Sequence, residues 1–230
     1  MSSPAHCRIA ASLLASLFVL TACSPGADTP SQVADVDAAP TVFHGTMLAA
    51  SPGRPELTLR DTENQEFSLT ERPEGEVTVV FFGYTHCSDV CPTTMADLAV
   101  ASRQLRPELR EQVTVVFVTE DPRRDTPAAL RQWLDQFDST FVGLLGGNPA
   151  TEAALAELAL PESTQIPQPD DPIVHPDTGD GSHDHGDYAI EHSGIVYAFG
   201  PIATRTAIVY TGGFSPRQYA EDFTRLAETG

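Results

Sequence analysis

The apolar positions of the chain fall into runs typical of strands, separated by segments with helical spacing. Two continuous runs, residues 77–82 and 113–118, are rich in β-branched and aromatic side chains. Such runs predict central strands that are covered on both faces. Shorter apolar segments bounded by turn residues predict further strands, namely 57–59, 66–69, 141–145, 194–199 and 206–210.

Helical periodicity fills the gaps between the predicted strands. Apolar residues recur every three or four positions over 92–105. Three later helices are each predicted to begin with a capping residue followed by proline, at Thr126-Pro127, Asn148-Pro149 and Ser215-Pro216. The order strand, helix, strand, helix, hairpin and final helix predicts an α/β sandwich. A cysteine pair after the first core strand makes this sandwich thioredoxin-like, with an N-terminal β-hairpin extension from segments 57–59 and 66–69.

The first 22 residues have the pattern of an export signal. Arg8 precedes an apolar run over residues 9–20, and a helix over that run would span about 18 Å, well short of the bilayer core of about 30 Å. A signal peptide is therefore favoured over a membrane span. The sequence Leu-Thr-Ala-Cys at 20–23 resembles the lipobox of bacterial lipoproteins, which implies cleavage before Cys23 and attachment of lipid to its sulfur. The alternative is an ordinary signal peptide cleaved near the same place.

The remaining chain is predicted to consist of a tether and one domain. Residues 23–40 are rich in Ser, Pro, Ala and Asp and lack hydrophobic periodicity, so they predict a flexible tether. Residues 41–230 are predicted to form the thioredoxin-like domain, with a polar insert at 165–187. Together with the leader, this organisation predicts a membrane-anchored lipoprotein whose domain faces the periplasm.

The charge of the chain excludes some classes of partner. The 230 residues carry a formal net charge of −19, and all 13 basic residues are arginine. Such acidity argues against nucleic acid as a partner and against electrostatic docking on anionic membranes. Contact with the membrane is instead expected through the lipid anchor.

The four cysteines fall into two unlike pairs. Cys7 and Cys23 belong to the leader, whereas Cys87 and Cys91 belong to the domain. Two thiols are too few for a disulfide-stapled scaffold or for a four-cysteine zinc site. The close pair in the domain therefore points to redox chemistry or to metal binding.

The domain cysteines lie where the first core strand gives way to a helix. Residues 83–89 predict a turn, and Pro92 is predicted as the first residue of the helix. If Cys87 and Cys91 both fall within the first helical turns, their spacing of four places the sulfurs on one face. The helix N-terminus favours thiolate, the form that binds metals and attacks disulfides. Copper binding and thiol–disulfide exchange are both consistent with this junction.

Residues 82–92, Phe-Gly-Tyr-Thr-His-Cys-Ser-Asp-Val-Cys-Pro, resemble the cysteine motif of the Sco/SenC family. Members of that family are copper-binding, thioredoxin-like proteins required to assemble cytochrome c oxidase. Segments 119–127, 141–144 and 188–193 resemble further family segments in the same order, within roughly 65–225. The resemblance implies that one copper ion is bound by Cys87, Cys91 and His192. Thiolates suit Cu(I), and an added imidazole also tolerates Cu(II).

The resemblance implies a copper metallochaperone rather than an enzyme. Its acceptor would be the binuclear copper site of cytochrome c oxidase subunit II, and a periplasmic thiol reductant or copper donor would serve it. The alternative is a thiol–disulfide oxidoreductase that reduces the cysteines of that subunit before metal insertion. Three residues separate Cys87 from Cys91, where thioredoxins usually have two, which favours metal binding. A copper-responsive sensor is a weaker third interpretation.

Charged residues near the motif have less specific interpretations. His86 adjoins the first cysteine and is predicted to have a supporting role. Asp121 and Asp125 either orient the site or serve a turn and a helix cap. Arg123 and Arg124 are predicted to pair with nearby acids on the surface.

Two features depart from the pattern of the family. Ser88 stands where the family usually has proline, so a less rigid loop is expected. The insert at 165–187 is acidic and Pro-rich and contains His175, His183 and His185. Imidazole and carboxylate groups together can bind Cu(II), Zn(II) or Ni(II), so a secondary metal-collecting loop is one hypothesis. A solvated loop without metal is the alternative.

Overall fold

The computed structural model describes residues 43–48, 53–167, 188–202 and 206–228. All of them belong to one compact unit, Pro40–Gly230. The predicted signal peptide, the tether with Cys23, and the insert histidines His175, His183 and His185 lie outside the described residues.

Ten strands and five helices make up the part of the chain that the structure describes. In chain order they are β1 (Thr46–Met47), β2 (Thr58–Arg60), β3 (Glu66–Ser68), β4 (Val77–Gly83), α1 (Val90–Gln104), α2 (Pro107–Arg110), β5 (Val113–Thr119), α3 (Pro127–Leu134), β6 (Val142–Leu144), α4 (Pro149–Glu157), β7 (Thr164–Pro167), β8 (Tyr188–Glu191), β9 (Val196–Phe199), β10 (Ala207–Tyr210) and α5 (Pro216–Glu228). Among these helices, none is both long enough and apolar enough to cross a membrane.

A six-stranded sheet with the order β1-β10-β9-β4-β5-β6 forms the centre of the domain. Strands β4, β5 and β6 run parallel to one another, whereas β9 pairs antiparallel with β4 and with β10. Two separate hairpins, β2–β3 and β7–β8, flank this sheet. The parallel pairing places the carboxyl end of β4 beside that of β5, with Gly83 opposite Thr119.

The core lies on both faces of the sheet because successive side chains of a strand point to opposite sides. In β4, Val79 and Phe81 pack into one cluster with α1, α3 and α5, whereas Val80 and Phe82 pack into a second with α4 and the β2–β3 hairpin. Every residue of β4 is buried. The predicted α/β sandwich with a preceding β-hairpin is confirmed.

The helix boundaries confirm the predicted caps of α3 and α4 and correct the predicted start of α1. Thr126 accepts a hydrogen bond from the backbone of α3, and Asn148 accepts from that of α4. Helix α1 begins at Val90, so the prediction that Pro92 is its first residue is wrong. Pro92 is the third residue, where the missing N–H costs nothing because the first N–H groups of a helix have no intrahelical acceptor.

Three elements were not predicted from the sequence. They are the short strand β1, the four-residue helix α2 and the strand β7. Because β7 contains Gln165–Pro167, the segment predicted as a polar insert begins as a strand paired with β8.

Candidate metal centre

The carboxyl end of β4 carries the predicted site. Cys87 lies in the turn that follows this strand, Cys91 lies in the first turn of α1, and His192 directly follows β8. One ligand atom from each residue lies within 4.8 Å of the other two. The Cys91 Sγ and His192 Nε2 atoms are 3.6 Å apart. Three separate segments thus bring two sulfurs and one imidazole nitrogen close enough to bind one metal ion.

The turn, rather than a shared helical face, brings the two sulfurs together. Cys87 lies before the start of α1, and its N–H donates to the carbonyl of Tyr84 at 3.2 Å. The condition that both cysteines fall within the first helical turns is therefore not met, because only Cys91 lies in α1. The Cys91 sulfur packs directly against Gly83, where a Cβ atom would lie only 2.5 Å from that sulfur. A side chain at position 83 would thus occupy the place of the ligand.

The two thiols differ in accessibility and in acidity. Cys87 is half-buried and Cys91 is buried, and neither forms a disulfide. A hydrogen bond from the Cys91 thiol lowers the pKa of Cys87, against the effect of burial, and backbone N–H groups at the start of α1 lower it further. The same hydrogen bond and burial raise the pKa of Cys91. The negative charge of the metal-free reduced pair is therefore favoured on Cys87 rather than on Cys91.

The imidazole of His192 is held with Nε2 toward the cysteines. Its side chain is 6% exposed, and the Tyr84 ring meets it edge-on with 5.4 Å between centroids. The Nδ1 atom lies 3.1 Å from the carbonyl oxygen of Ser193, which can only accept a hydrogen bond. Nδ1 therefore carries the proton, and Nε2 is left free as a metal ligand.

Asp125 connects the turn that contains Cys87 to the end of β5 through hydrogen bonds. This buried carboxylate accepts hydrogen bonds from the Thr85 N–H, at 3.0 Å, and from the hydroxyl groups of Thr85 and Thr119. The cap of α3 comes from Thr126 instead. Of the two interpretations offered for Asp125, orientation of the loop therefore agrees with the contacts.

Asp121 and Arg124 clamp the strand that precedes His192. Asp121 accepts from the Tyr188 hydroxyl at 2.6 Å and pairs with Arg124. Arg124 also donates to the Tyr188 carbonyl at 2.9 Å, with its guanidinium over the Tyr188 ring. The prediction that Arg124 pairs with an acid on the surface is wrong, because its ion pair with Asp121 is buried. Arg123 is exposed, with its guanidinium 5.7 Å from the centre of the Tyr188 ring.

His86 is grouped with Asp121 and Asp125 rather than with the two cysteines. Its side chain is 54% exposed, and its Nδ1 atom lies 3.1 Å from Thr85 Oγ1 and 3.8 Å from Asp125. His86, Asp121 and Asp125 are close enough to form a second group of ligand type. Hydrogen bonds from threonine, tyrosine and arginine already engage both carboxylates. These contacts favour a supporting role for His86 in the turn.

Glu120 and Ser163 were not identified from the sequence as parts of the site. Glu120 is buried at the end of β5, and one of its oxygens accepts a hydrogen bond from the Ser163 hydroxyl. The other oxygen lies 4.0 Å from His192 Nδ1. The signal that could have found Glu120 is its position, since the carboxyl ends of neighbouring parallel strands form one edge of the sheet.

The fold and this geometry define a class of protein. It is a thioredoxin-like domain whose cysteine pair, with a histidine from an added hairpin, forms a three-ligand metal site. Comparison with known families agrees, because the SCO1/SenC family model matches residues 45–228. The chain belongs to the SCO1/SenC family.

Individual relatives support the same assignment. A protein of Stutzerimonas stutzeri, whose name proposes that it binds copper, is 33% identical over 172 residues, which cover 75% of this chain and 76% of that protein. The structure of Bradyrhizobium japonicum ScoI with copper bound is 28% identical, with a TM-score of 0.58 over 76% of this chain and 98% of that one. A SCO2-like protein of Rickettsia conorii is 34% identical, but the match covers only 36% of this chain and 40% of that protein.

A further solved structure shows the fold alone, because it is only 17% identical. It is that of BsSco, a member of the Sco family of cytochrome c oxidase assembly proteins in which a disulfide switch was identified. The TM-score is 0.50, over 77% of this chain and 95% of that chain.

Proposed function

We propose that the protein is a copper metallochaperone that holds one copper ion on Cys87, Cys91 and His192. The observation that carries this proposal is the convergence of these three ligand atoms within 4.8 Å. Copper is the metal that this donor set fits, because soft thiolates bind Cu(I) and an imidazole extends the range to Cu(II). The copper-bound structure of Bradyrhizobium japonicum ScoI, at 28% identity, supports the choice of metal.

Copper is a cargo in this proposal, and the arrangement of the ligands suits its release. Three protein ligands leave a position at which a ligand of the acceptor can enter. Cys87 is half-buried and in the turn, so its sulfur is the ligand that an acceptor reaches first. Exchange through a shared thiolate needs no covalent catalysis.

The proposed acceptor is the binuclear copper site of cytochrome c oxidase subunit II. Membership of the SCO1/SenC family, for which the resemblance implies a part in assembling cytochrome c oxidase, supports this choice. The leader sequence supports a periplasmic domain with a lipid anchor on Cys23. Dithiols outside the cytoplasm tend to oxidise, so a periplasmic thiol reductant would keep the pair able to load copper.

Copper titration with a matched histidine pair tests the proposal. In the full-length Cys7→Ser/Cys23→Ser protein, only the two domain cysteines remain. We expect one copper per chain, at least about a tenfold loss of Cu(II) affinity in His192→Ala, and no change in His86→Ala. Absence of stoichiometric copper, or equal effects of the two substitutions, would contradict the proposal.

Transfer is tested with the purified copper-binding domain of subunit II. Copper-loaded protein, mixed with reduced, metal-free acceptor and then separated from it, should leave two copper ions on each binuclear site of the acceptor. The same mixture made with metal-free protein should not. Copper that stays with the donor in the presence of excess acceptor would refute delivery while leaving copper binding intact.

The asymmetry between the thiols favours a second function, thiol–disulfide exchange. The Cys87 thiolate would attack a disulfide of subunit II to give a mixed disulfide, and one acceptor sulfur would leave as a thiolate. Cys91 would then displace the second acceptor sulfur, so the protein becomes oxidised and subunit II reduced. With oxidised subunit II, Cys91→Ser should accumulate a mixed disulfide through Cys87. No adduct in Cys91→Ser would exclude this function.

A further inference from the structure

A buried carboxylate lies behind the imidazole of the metal centre. The Glu120 side chain is 2% exposed, and its Oε2 atom has no hydrogen-bond partner among the described residues. That oxygen lies 4.0 Å from Nδ1 of His192, on the side of the ring opposite the sulfurs. Because a buried carboxylate without compensation is costly, its contact with the ligand requires an explanation.

The fold prevents Glu120 from turning toward water. Its backbone N–H donates to the carbonyl of Gly83 at 2.7 Å, which fixes the residue to the end of β4. Its Oε1 atom is held by the Ser163 hydroxyl. These two contacts leave the Oε2 atom directed at the metal centre.

The cavity that borders Glu120 supplies no positive charge. Its volume is about 130 Å³, and its lining contains no arginine or histidine: it consists of Glu120, Gly147, Thr151, Glu152, Leu155, Glu162 and Ser163. Burial raises the pKa of the Glu120 carboxyl, whereas the Ser163 hydrogen bond and the His192 imidazole lower it. Among the described residues, His192 is the basic side chain within 4.0 Å of this carboxylate. At this position the available charge is that of the imidazole and of the ion that it binds.

We propose that Glu120 is a positioning residue that makes the centre favour Cu(II) over Cu(I). The inference rests on the proposed function, because it assumes that Cys87, Cys91 and His192 bind copper. Two thiolates with Cu(II) form a neutral centre, whereas with Cu(I) the centre is already anionic. A fixed negative charge nearby penalises the anionic state more than the neutral one. The carboxylate also lies 4.0 Å from Nδ1, and its charge there makes Nε2 a stronger donor, which suits the harder Cu(II) ion.

The test compares two substitutions that remove the same charge. In the full-length Cys7→Ser/Cys23→Ser protein, Glu120→Gln keeps the size of the buried side chain. Glu152→Gln is the control, because Glu152 lines the same cavity but is exposed. Affinities for Cu(II) and Cu(I) are measured by competition with chelators, and the midpoint potential of the bound copper is measured directly.

We expect the ratio of Cu(II) to Cu(I) affinity to fall at least about tenfold in Glu120→Gln, which for a one-electron couple raises the potential by about 59 mV. Glu152→Gln should stay within about twofold of the parent protein. A Glu120→Gln protein that binds copper with an unchanged ratio would overturn the inference. A parent protein that binds no copper would instead overturn the proposed function.

A second measurement needs no substitution at Glu120. In the Cu(I)-loaded parent protein with ¹⁵N-labelled histidine, NMR should show Nδ1 of His192 protonated and Nε2 bound to copper. The His192→Ala spectrum assigns the signals. Copper bound at Nδ1 would overturn the inference even if the Glu120→Gln protein does not fold, because the carboxylate would then face no N–H group.

Discussion

Gly83 is the position where a single methyl group should disable the metal centre. It is the last residue of β4, and a Cβ atom there would lie 2.5 Å from Cys91 Sγ and 3.2 Å from Cε2 of Phe117. Ordinary contacts between such atoms are about 3.5–4.0 Å. In Gly83→Ala the Cys91 sulfur must therefore retreat by about 1 Å, because the buried Phe117 ring offers the methyl group no other space.

The magnitude follows from overpacking and from the tolerance of metal sites. An extra methyl group in a well-packed core costs about 1–3 kcal/mol of stability. Ligand distances in metal sites hold to within about 0.2 Å, so a sulfur moved by about 1 Å should lower copper affinity by at least about tenfold. Gly143→Ala is the matched control, since its Cβ would lie 2.7 Å from Leu134 Cδ1 in the same cluster, away from the sulfurs.

The assay combines urea denaturation of the metal-free proteins with copper competition titrations. Both variants should lose stability by about 1–3 kcal/mol, but only Gly83→Ala should lose copper affinity. A Gly83→Ala protein that binds copper within about twofold of the parent would refute the reasoning, because the sulfur would then have room that the structure denies it. Equal losses of copper affinity in the two glycine variants would refute it as well.

Three further predictions concern the thiols and two buried carboxylates. Because its pKa is lowered, Cys87 keeps its thiolate as pH falls, so its alkylation by iodoacetamide should slow less than about twofold from pH 8 to 7. The rate is followed by peptide mass mapping, and a nearly tenfold fall in that rate would contradict the prediction. Asp125→Ala removes three hydrogen bonds to Thr85 and Thr119. It should lower the free energy of unfolding, measured by urea denaturation, by about 2–4 kcal/mol and should weaken copper binding. Unchanged copper affinity would show that the turn that contains Cys87 does not need these hydrogen bonds. Asp222→Ala removes the acceptor of the His44 and Gly45 N–H groups. It should lower the free energy of unfolding by about 2–4 kcal/mol without changing copper affinity, and a decrease below about 0.5 kcal/mol would contradict this prediction.

The central strands and the capped starts of α3 and α4 could be predicted because local chemistry decides them. Residues 77–82 form an unbroken apolar run because β4 is buried on both faces. Thr126 and Asn148 cap helices through hydrogen bonds to N–H groups two or three residues away. By contrast, all four residues of β7 are exposed, so no hydrophobic pattern marks it. Its existence depends on pairing with β8, from which it is separated by twenty residues, 168–187.

The site could be predicted only in part for a similar reason. The spacing of Cys87 and Cys91 is visible in the sequence, but His192 was identified through family resemblance alone, because it lies 101 residues from Cys91. Arg124 and Glu120 were expected on the surface or not considered, since isolated charged residues are rarely buried. Their burial follows from tertiary contacts with Tyr188 and Ser163, which no local pattern reveals.

The most direct test of the central claim is X-ray absorption spectroscopy of the Cu(I)-loaded Cys7→Ser/Cys23→Ser protein. The geometry of Cys87, Cys91 and His192 predicts two sulfur neighbours and one imidazole nitrogen around a single copper ion. His192→Ala should lose the nitrogen signal, and His86→Ala should keep it. A spectrum with sulfur neighbours only in the parent protein, or a nitrogen signal that survives in His192→Ala, would contradict the three-ligand centre.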